Sequence, residues 1–497
     1  MESGNLKVSR RRRIGWVLCF GLFLLTIYGW LRFTRDAPVV YTSASEHFKY
    51  GSTGGERASG IPLSVWKVLP QIFQKYLPGN YDPQKPYSAF GFIYEDGKDL
   101  PIGVSERNVQ GINRVFLNCA ICHVGTVRDS AESKPRIILG MPANVVDLQA
   151  FERFLFSCAT DENFTGARIV PEIAKNVPKE DVVNRLLLRY VGVDLMRDQM
   201  MVLRDRFQFQ EREPDCGPGR VDTFNPPKVL LNFRMDLLPT NEWVGNCDLP
   251  SIWHQDKREG MWLHWDGNNN SVQERNRSAA FGTGATPPTL DRESLKRIED
   301  WLFKEAAPLE YPYPIDRAQA GRGKMLYGQY CADCHGADGK DFTGKYVGQV
   351  TPIEVAATDR HRLDSYSYEL CANQNLLYAA YPSERFSHFR KTFGYANQPL
   401  DGIWLRAPYL HNGSVPTLRD LLDPSSARPK RFFRGYDVVD VNRVGFKSDV
   451  GEENGKKFFL FDTSLPGNGN FGHEGKQFGT ELADDEKDAI VEYMKTF

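Results

Sequence analysis

The sequence has almost no net charge, few cysteines and no low-complexity tract. Its 497 residues carry 62 Lys and Arg against 63 Asp and Glu, a formal net charge of −1. Because nucleic-acid binders usually carry a basic excess, no nucleic-acid partner is expected. Nine cysteines are too few for a disulfide scaffold of this length. Charged residues make up 25% of the chain, which indicates folded domains rather than long disorder.

Long apolar runs are also scarce, apart from one near the N-terminus. The run 14–31 has no charged residue and follows four consecutive arginines, 10–13. It is long enough to span a bilayer as a helix, and a basic flank stays cytoplasmic. We predict a basic cytoplasmic tail over residues 1–13 and a transmembrane anchor over residues 14–32. The protein would then be a single-pass protein of the inner membrane, with its bulk in the periplasm.

A cleaved signal peptide is the alternative for this run. Such a peptide needs a shorter apolar core and a cleavage site of small residues soon after it. The nearest small-x-small triplet, residues 43–45, lies well downstream of the run. The sequence therefore favours an uncleaved anchor.

The pattern C-x-x-C-H occurs twice, as CAICH at 119–123 and CADCH at 331–335. It is typical of covalent haem c attachment, in which two nearby thiols bind the porphyrin vinyl groups and the histidine ligates the iron. A zinc site would pool the four thiols without requiring a histidine after each pair. We predict two covalently bound haem c groups, with these residues as the attachment sites and iron ligands: Cys119, Cys122, His123, Cys331, Cys334 and His335.

These motifs predict a mainly α fold with long loops, in which two cytochrome-c-like haem domains follow the transmembrane helix. A proline-rich stretch, AAPLEYPYP, interrupts a helical pattern and predicts the domain boundary. The predicted order is a linker (33–60), a first haem c domain with a large insertion (61–310) and a second haem c domain (311–497). Apolar spacing predicts a helix over 316–330, and Thr480 can cap a terminal helix.

The second axial ligand of each iron decides whether a haem only moves electrons or also binds oxygen or peroxide. For the second haem, the available histidines are His361, His388, His411 and His473. For the first haem, Met141 and His264 are weak candidates, because a methionine or a histidine among tryptophans more often packs in a core. No ligand stands out for the first haem, which favours an open iron face.

Four further cysteines follow the anchor. In an oxidising compartment they allow up to two disulfides in three pairings, and buried free thiols are the alternative. The residues alone leave this choice open. They are Cys158, Cys216, Cys247 and Cys371.

From about residue 60 to its end, the chain resembles dihaem c-type cytochromes of the rubber-oxygenase-like group. It is more distantly similar to bacterial dihaem cytochrome c peroxidases and to the dihaem enzyme that matures methylamine dehydrogenase. The resemblance rests on the two haem motifs and on three runs: GYANQPLDGIWLRAPYLHNGSVPTLRDLL (394–422), RPKRFFRGYDVVD after it, and SLPGNGNFGHEGKQFGTEL near the end.

This resemblance implies roles for particular residues. It implies that His473 closes the second haem and that His411 lies beside a haem propionate as a cofactor-binding residue. Where the peroxidases have a methionine, this chain has Ser425. The resemblance also implies that the 316–330 helix packs across the terminal helix.

Two functions follow. In the first, the protein is a membrane-anchored periplasmic oxidoreductase whose second haem relays electrons to a first haem that reacts with oxygen or peroxide. In the second, both irons are six-coordinate and the protein is a pure electron carrier. The expected partners are a redox protein or a small-molecule oxidant, and the membrane through the N-terminal helix. Whether the protein is an enzyme, of a dihaem peroxidase or oxygenase type, stays open, because a fold does not fix a substrate.

Overall fold

The computed structural model describes residues 2–79 and 81–497, with side chains from Arg12 onward. Helix and sheet are mixed, and 43% of the chain is helical. The predicted mainly α fold is therefore corrected. Most strands have only two to four residues and pair across loops, and such short runs carry too little alternation to be predicted from a single sequence.

The N-terminal helix α1 (Glu2–Phe33) contains the apolar run. An 18-residue window within its segment 12–33 has a mean hydropathy of 2.0, and none of that window is buried against the rest of the molecule. This helix is compatible with a membrane anchor or a signal sequence. The side chains of residues 1–11, which include most of the predicted basic tail, lie outside the described residues.

A four-stranded antiparallel sheet follows this helix, in the order β1-β3-β4-β2. Its strands are β1 (Asp36–Pro38), β2 (Ile61–Pro62), β3 (Val104–Val109) and β4 (Ile112–Leu117). Two short helices lie between β1 and β2, namely α2 (Ala44–Tyr50) and α3 (Gly55–Ser59).

The segment predicted as a linker, 33–60, is folded into the molecule. Phe48 is fully buried, and its ring stacks on Trp301 with 4.6 Å between centroids. Glu56 is also buried and accepts a hydrogen bond from Ser52 (2.7 Å). Serine and glycine in this segment therefore serve caps and turns rather than a free tether.

Further helices follow up to residue 304. They are α4 (Leu63–Ile72), α5 (Leu148–Thr160), α6 (Gly166–Asn176), α7 (Val182–Leu187), α8 (Val193–Arg206), α9 (Asn225–Leu230), α10 (Val272–Gly282) and α11 (Arg292–Lys304). A π turn (Leu188–Gly192) joins α7 to α8.

The later helices are shorter, apart from α12 and α18. They are α12 (Arg317–Tyr330), α13 (Ala332–His335), α14 (Ile353–Ala356), α15 (His361–Ser365), α16 (Tyr368–Leu376), α17 (Leu418–Leu421) and α18 (Asp484–Met494).

The remaining strands form two-stranded antiparallel ribbons. They are β5 (Val124–Val127) with β6 (Arg136–Leu139), β7 (Arg220–Asp222) with β8 (Asn246–Asp248), β9 (Val350–Pro352) with β10 (Gly394–Ala396), β11 (Arg431–Arg434) with β16 (Phe459–Asp462), β12 (Val439–Asp440) with β13 (Gly445–Phe446), and β14 (Glu452–Glu453) with β15 (Lys456–Lys457).

Helix α12 packs across α18, which confirms the expected pair of helices. Gly323 permits the close approach, because a Cβ there would lie 1.8 Å from the carbonyl oxygen of Ala489. The predicted cap of the terminal helix is wrong. The hydroxyl of Thr480 accepts from the backbone N–H of Gly475 (2.8 Å). At the start of α18 it is the carboxylate of Glu486 that accepts from a backbone N–H, that of Ala483 (3.0 Å).

One hydrophobic cluster contains residues from both sides of the predicted domain boundary. It includes Ala120 and Trp301 before the boundary and Tyr327, Trp404 and Ile490 after it. Burying such side chains stabilises a fold by roughly 1.5–3 kcal/mol each. The two motifs therefore belong to halves that share a core, and the domain limits themselves stay a prediction.

Candidate haem sites

The first motif begins in a tight turn that Asn118 shapes. The side-chain oxygen of Asn118 accepts from the backbone N–H of Ala120 (2.9 Å), and its amide donates to the carbonyl of Gly51 (3.0 Å). Within this turn the N–H of Cys122 bonds to the carbonyl of Cys119 (3.3 Å). The backbone thus holds both thiols within one turn, as attachment to one porphyrin requires.

The second motif begins where α12 ends. The N–H of Cys334 bonds to the carbonyl of Cys331 (3.2 Å), and α13 ends at His335. The two cysteines therefore have the same relation as in the first motif, although one turn is a 3₁₀ turn and the other a short α-helix.

Both motif histidines are oriented by a backbone carbonyl. Nδ1 of His123 lies 2.9 Å from the oxygen of Pro250, and Nδ1 of His335 lies 2.8 Å from the oxygen of Gln398. A carbonyl only accepts, so each Nδ1 carries the proton and each Nε2 is left with a free lone pair. That is the tautomer of an imidazole that binds a metal through Nε2. Burial lowers the pKa of His123 to about 3, which keeps its ring neutral.

His473 lies opposite His335. Their ring centroids are 6.4 Å apart, with 44° between the ring planes. Two metal–imidazole bonds of about 2 Å each, plus the distance from each nitrogen to its ring centre, give about the same separation. Nδ1 of His473 is buried without a hydrogen-bond partner, and burial lowers its pKa to about 3. The pair therefore fits the two axial positions of one haem iron.

The loop that carries His473 is held by Arg428, whose role the sequence did not predict. This buried guanidinium donates to the carbonyls of Asn470 (2.6 Å), Gly472 (2.9 Å) and His473 (3.4 Å). Arg428 lies in the run RPKRFFRGYDVVD, but a basic residue among four gives no sign of burial. Its bonds fix the backbone on which the imidazole stands.

Two further contacts fix the same loop. The N–H of His473 bonds to the carbonyl of Ala356 (2.7 Å), and the His473 ring packs on Phe478 with 4.6 Å between centroids. Gly472 has a φ of +80°, and a Cβ there would lie 2.4 Å from the backbone of Ala357. Glycine is therefore required beside His473.

Ser425 stands beside this loop rather than on an iron axis. Its backbone N–H and its hydroxyl both donate to the carboxylate of Glu474, at 2.6 and 2.9 Å. Serine has no sulfur ligand to offer, and here it ties the loop next to His473. Ser425 therefore makes a loop-anchoring contact at the position for which the resemblance gives a methionine in the peroxidases.

A cavity of about 310 Å³ lies beside the first motif. Cys122 and His123 form part of its wall, and His264 and Arg362 line it as well. Among the described residues His123 has no imidazole in ring contact with it, unlike His335. Both motif histidines therefore have a backbone carbonyl on the Nδ1 side of the ring. On the other side His335 has an imidazole and His123 has the cavity.

The two weak ligand candidates for the first haem lie in different places. His264 lines the cavity, and its Nδ1 is 2.6 Å from the side-chain oxygen of Asn268. Burial lowers the pKa of His264 to about 4. Met141 is fully buried in the hydrophobic core and is not part of the cavity wall. The structure thus brings His264, but not Met141, to the first site.

His411 is buried, and among the described residues its ring contacts Tyr395 rather than a motif histidine. Its ring stacks on Tyr395 at 4.1 Å between centroids, and its Nε2 lies 3.0 Å from the Tyr395 hydroxyl. That hydroxyl is 2.6 Å from the carbonyl of Asp359, so its single proton points there and Nε2 of His411 is the donor in the longer bond. The carbonyl of His411 accepts from the backbone N–H of Asp248 (2.9 Å), a residue that lines the cavity. His411 therefore supports the cavity wall from behind.

The cavity also contains carboxyl groups that the sequence did not predict. Glu152 accepts from Gln210 (2.9 Å), and burial raises its pKa to about 7. Glu213 has one carboxyl oxygen buried without a partner, and burial raises its pKa well above the usual value. Burial therefore favours the protonated form of both carboxyl groups. They belong to helical or loop segments without a recognisable motif, so no sequence signal identified them.

The four remaining cysteines are buried free thiols, which corrects the disulfide alternative. Cys216 and Cys247 line the cavity. The thiol of Cys247 accepts from the guanidinium of Arg362 (3.0 Å). Cys158 and Cys371 pack in two other hydrophobic clusters.

One segment of the chain is similar to a known protein family. Residues 394–433 match the family described as RoxA-like, cytochrome c-like. The matched segment contains Tyr395, His411 and Arg428. It supports a cytochrome c-like relationship, which implies covalently bound haem c and a haem-based redox function.

Two proteins of Sinorhizobium fredii are similar over longer stretches. The "uncharacterized protein y4iM" is 30% identical over 326 residues, which cover 58% of the chain and 72% of that protein. The chain belongs to the same family. The "uncharacterized protein y4iJ" is 26% identical over 520 residues, covering 82% of the chain and 83% of that protein. The similarity therefore extends well beyond the cytochrome c-like segment.

Proposed function

We propose that the protein is a membrane-anchored dihaem c-type cytochrome of the periplasm, related to the dihaem peroxidase and rubber-oxygenase-like group. Its two haem sites have different tasks. The second passes electrons, and the first reacts with oxygen or peroxide. The observation that carries this proposal is the contrast between His335, which faces His473 at 6.4 Å, and His123, which stands at a cavity.

The residues of the second site favour electron transfer. His335 and His473 would hold the iron from both sides, and Cys331 and Cys334 would bind the porphyrin. Both imidazoles are half-buried and their loops are tied by hydrogen bonds, so little structural change is needed when the charge of the site changes. A rigid six-coordinate site is suited to electron relay.

The residues of the first site favour small-molecule chemistry. His123 would hold the iron from one side, with Cys119 and Cys122 on the porphyrin. Bound haem c with a free iron position can supply oxygen or peroxide binding in addition to electron transfer. Glu152 and Glu213 line the same cavity as protonatable carboxyl groups. They would supply protons where reduction of an oxidant consumes them.

A pure electron carrier is the second candidate. The position of His264 favours it, since this imidazole lines the cavity beside His123 and would make the first iron six-coordinate if it bound. The Nδ1 bond to Asn268 leaves the other ring nitrogen of His264 free for such a role.

The test uses the purified full-length protein. We expect a pyridine haemochrome assay on denatured protein to give two covalently retained haems per chain. Cyanide should then bind one haem per chain, seen as a shift of half of the Soret absorbance. Fewer than two retained haems would reject the dihaem proposal. Two haems without cyanide binding would instead identify the electron carrier.

A further inference from the structure

An apolar stripe is exposed on α7, the π turn and α8. Six large apolar side chains within 14 residues are between 38% and 69% exposed. They are Val182, Val183, Leu186, Tyr190, Val191 and Leu195. Concentrated exposure of this kind marks an interaction surface, whereas single exposed apolar residues do not.

The stripe is not a consequence of loose packing. The opposite side of the same segment buries Leu188, Val193 and Met200 in the hydrophobic cluster of α4 to α6. The exposed residues recur at intervals of four, as in 182, 186 and 190, so they lie on one face of the segment. The segment therefore packs on the molecule through one apolar face, and a second apolar face is exposed to solvent.

The stripe begins where the N-terminal apolar helix ends. Arg32, in the last turn of α1, donates to Asn184 and lies 3.7 Å from the carboxylate of Asp181. Its side chain is only 8% exposed. Asn184 also donates to the carbonyl of Gly111 (3.3 Å), in the turn between β3 and β4. These contacts fix the stripe beside the end of α1.

Charged side chains border the stripe in both signs. Basic and acidic residues alternate there, so charge does not favour an anionic partner. The basic ones are Lys175, Lys179, Arg185 and Arg189, and the acidic ones are Glu180, Asp181, Asp194 and Asp198. Tyr190 combines an apolar ring with a hydroxyl, and the guanidinium of Arg189 lies 5.8 Å from its ring centre. Side chains of this kind suit the boundary between lipid and water.

We propose that this stripe rests on the outer leaflet of the membrane that α1 crosses. The inference relies on the proposed membrane anchoring and adds a second contact to it. A helix that leaves the bilayer at Arg32 places the adjoining segment at headgroup level. The apolar face of 182–195 is then buried at the boundary between headgroups and acyl chains, as in an interfacial helix. The part of the molecule that contains the two motifs would thereby be held in one orientation to the membrane.

The experiment uses the unmodified full-length protein in phosphatidylcholine vesicles that contain a photoactivatable phosphatidylcholine. After illumination, cross-linked peptides are mapped by mass spectrometry. We expect lipid adducts on α1 and on 182–195, and none on α16, whose Tyr368 and Leu376 are 69% and 66% exposed. The neutral lipid is chosen because the stripe should bind through apolar contact.

The outcomes separate the two ideas. Adducts on α1 alone would retain the anchor and overturn the surface contact. Adducts on neither segment would overturn both. A protein that is dimeric in detergent and gives no adducts on 182–195 would have the stripe at a subunit interface, which also overturns the proposal.

A pair of triple variants provides the matched control. Leu186→Ser/Tyr190→Ser/Leu195→Ser should lower the adduct yield on 182–195 about tenfold, because three apolar contacts with lipid are lost. The adducts on α1 serve as the internal standard and should not change. The variant Val355→Ser/Tyr368→Ser/Leu376→Ser removes side chains of comparable exposure elsewhere and should leave both yields unchanged. Equal yields from both variants would contradict the proposal.

Discussion

The two C-x-x-C-H sites are alike on one side and different on the other. In both, a backbone carbonyl holds Nδ1 of the motif histidine, at 2.9 Å for His123 and 2.8 Å for His335. On the opposite side His335 meets His473, whereas His123 meets a cavity of about 310 Å³. The short motif therefore specifies the cysteines and the histidine on one side of a haem site. Segments distant in the sequence supply the residues on the other side, and these residues determine whether the iron has a free position.

The two sites differ in the contacts that hold a loop opposite the motif histidine. His473 is placed by an arginine, a serine–carboxylate contact and a glycine with a left-handed backbone. No comparable set of contacts points an imidazole at His123 in the part of the chain that the structure describes. The following predictions test this difference between the sites.

The largest effect is expected from removing one pair of thiols. In Cys119→Ala/Cys122→Ala the first haem has no covalent bond, so the pyridine haemochrome assay should give one retained haem per chain. Electron paramagnetic resonance should then show low-spin iron only. The matched variant Cys331→Ala/Cys334→Ala should also retain one haem, with a high-spin signal. If both variants gave the same spin state, the sites would not differ as described.

His473→Ala should convert the second haem from low-spin to high-spin, because the imidazole opposite His335 is lost. The change is measured by electron paramagnetic resonance and by cyanide binding, which should double per chain. The control is His388→Ala, whose ring is bonded to Glu274 (2.7 Å) and is not part of the cavity wall, so both readouts should stay unchanged. An unchanged spectrum for His473→Ala rejects this residue as a ligand.

Arg428→Ala should loosen the loop that carries His473. The variant leaves several buried carbonyls without a donor, so we expect the free energy of unfolding to fall by about 2–4 kcal/mol. Part of the second haem should also become high-spin, which a purely structural loss elsewhere would not cause. Arg431→Ala is the control, since its side chain is 67% exposed and its loss should change stability by less than about 0.5 kcal/mol. Urea denaturation and electron paramagnetic resonance measure the two effects.

The smallest effect concerns Glu152 in the first cavity. Burial raises its pKa from 4.5 to about 7, so between these values the unfolded chain releases a proton that the folded protein keeps. The free energy of unfolding should therefore fall as the pH rises through this window and level off above it. Glu152→Gln should show a flatter pH dependence, measured by urea denaturation from pH 4 to 8, whereas Asp205→Asn, an exposed control, should keep the slope. Equal slopes for Glu152→Gln and the unmodified protein would contradict the assignment.

Local patterns predicted more of the molecule than long-range contacts did. The N-terminal apolar helix and the helices α12 and α18 were predictable, because each depends on composition or spacing within one segment, whereas the packing of α12 on α18 was implied by the family resemblance. The fold class was predicted only in part, since two-residue strands such as β12 leave no alternating pattern. The segment 33–60 was misread as a linker, because its buried Phe48 and Tyr50 stand among serines and glycines.

The candidate sites divide in the same way. The motif residues could be identified from their spacing, and His473 from the resemblance of its run. Arg428, Glu152 and Glu213 could not, since their importance depends on burial that tertiary packing creates. Met141 and His264 were equivalent as candidates in the sequence, and only the fold separates them.

The most direct test of the account is electron paramagnetic resonance of the oxidised full-length protein. We predict two signals of equal weight per chain, one from low-spin iron between His335 and His473 and one from high-spin iron on His123. Two low-spin signals would contradict the proposed difference between the sites.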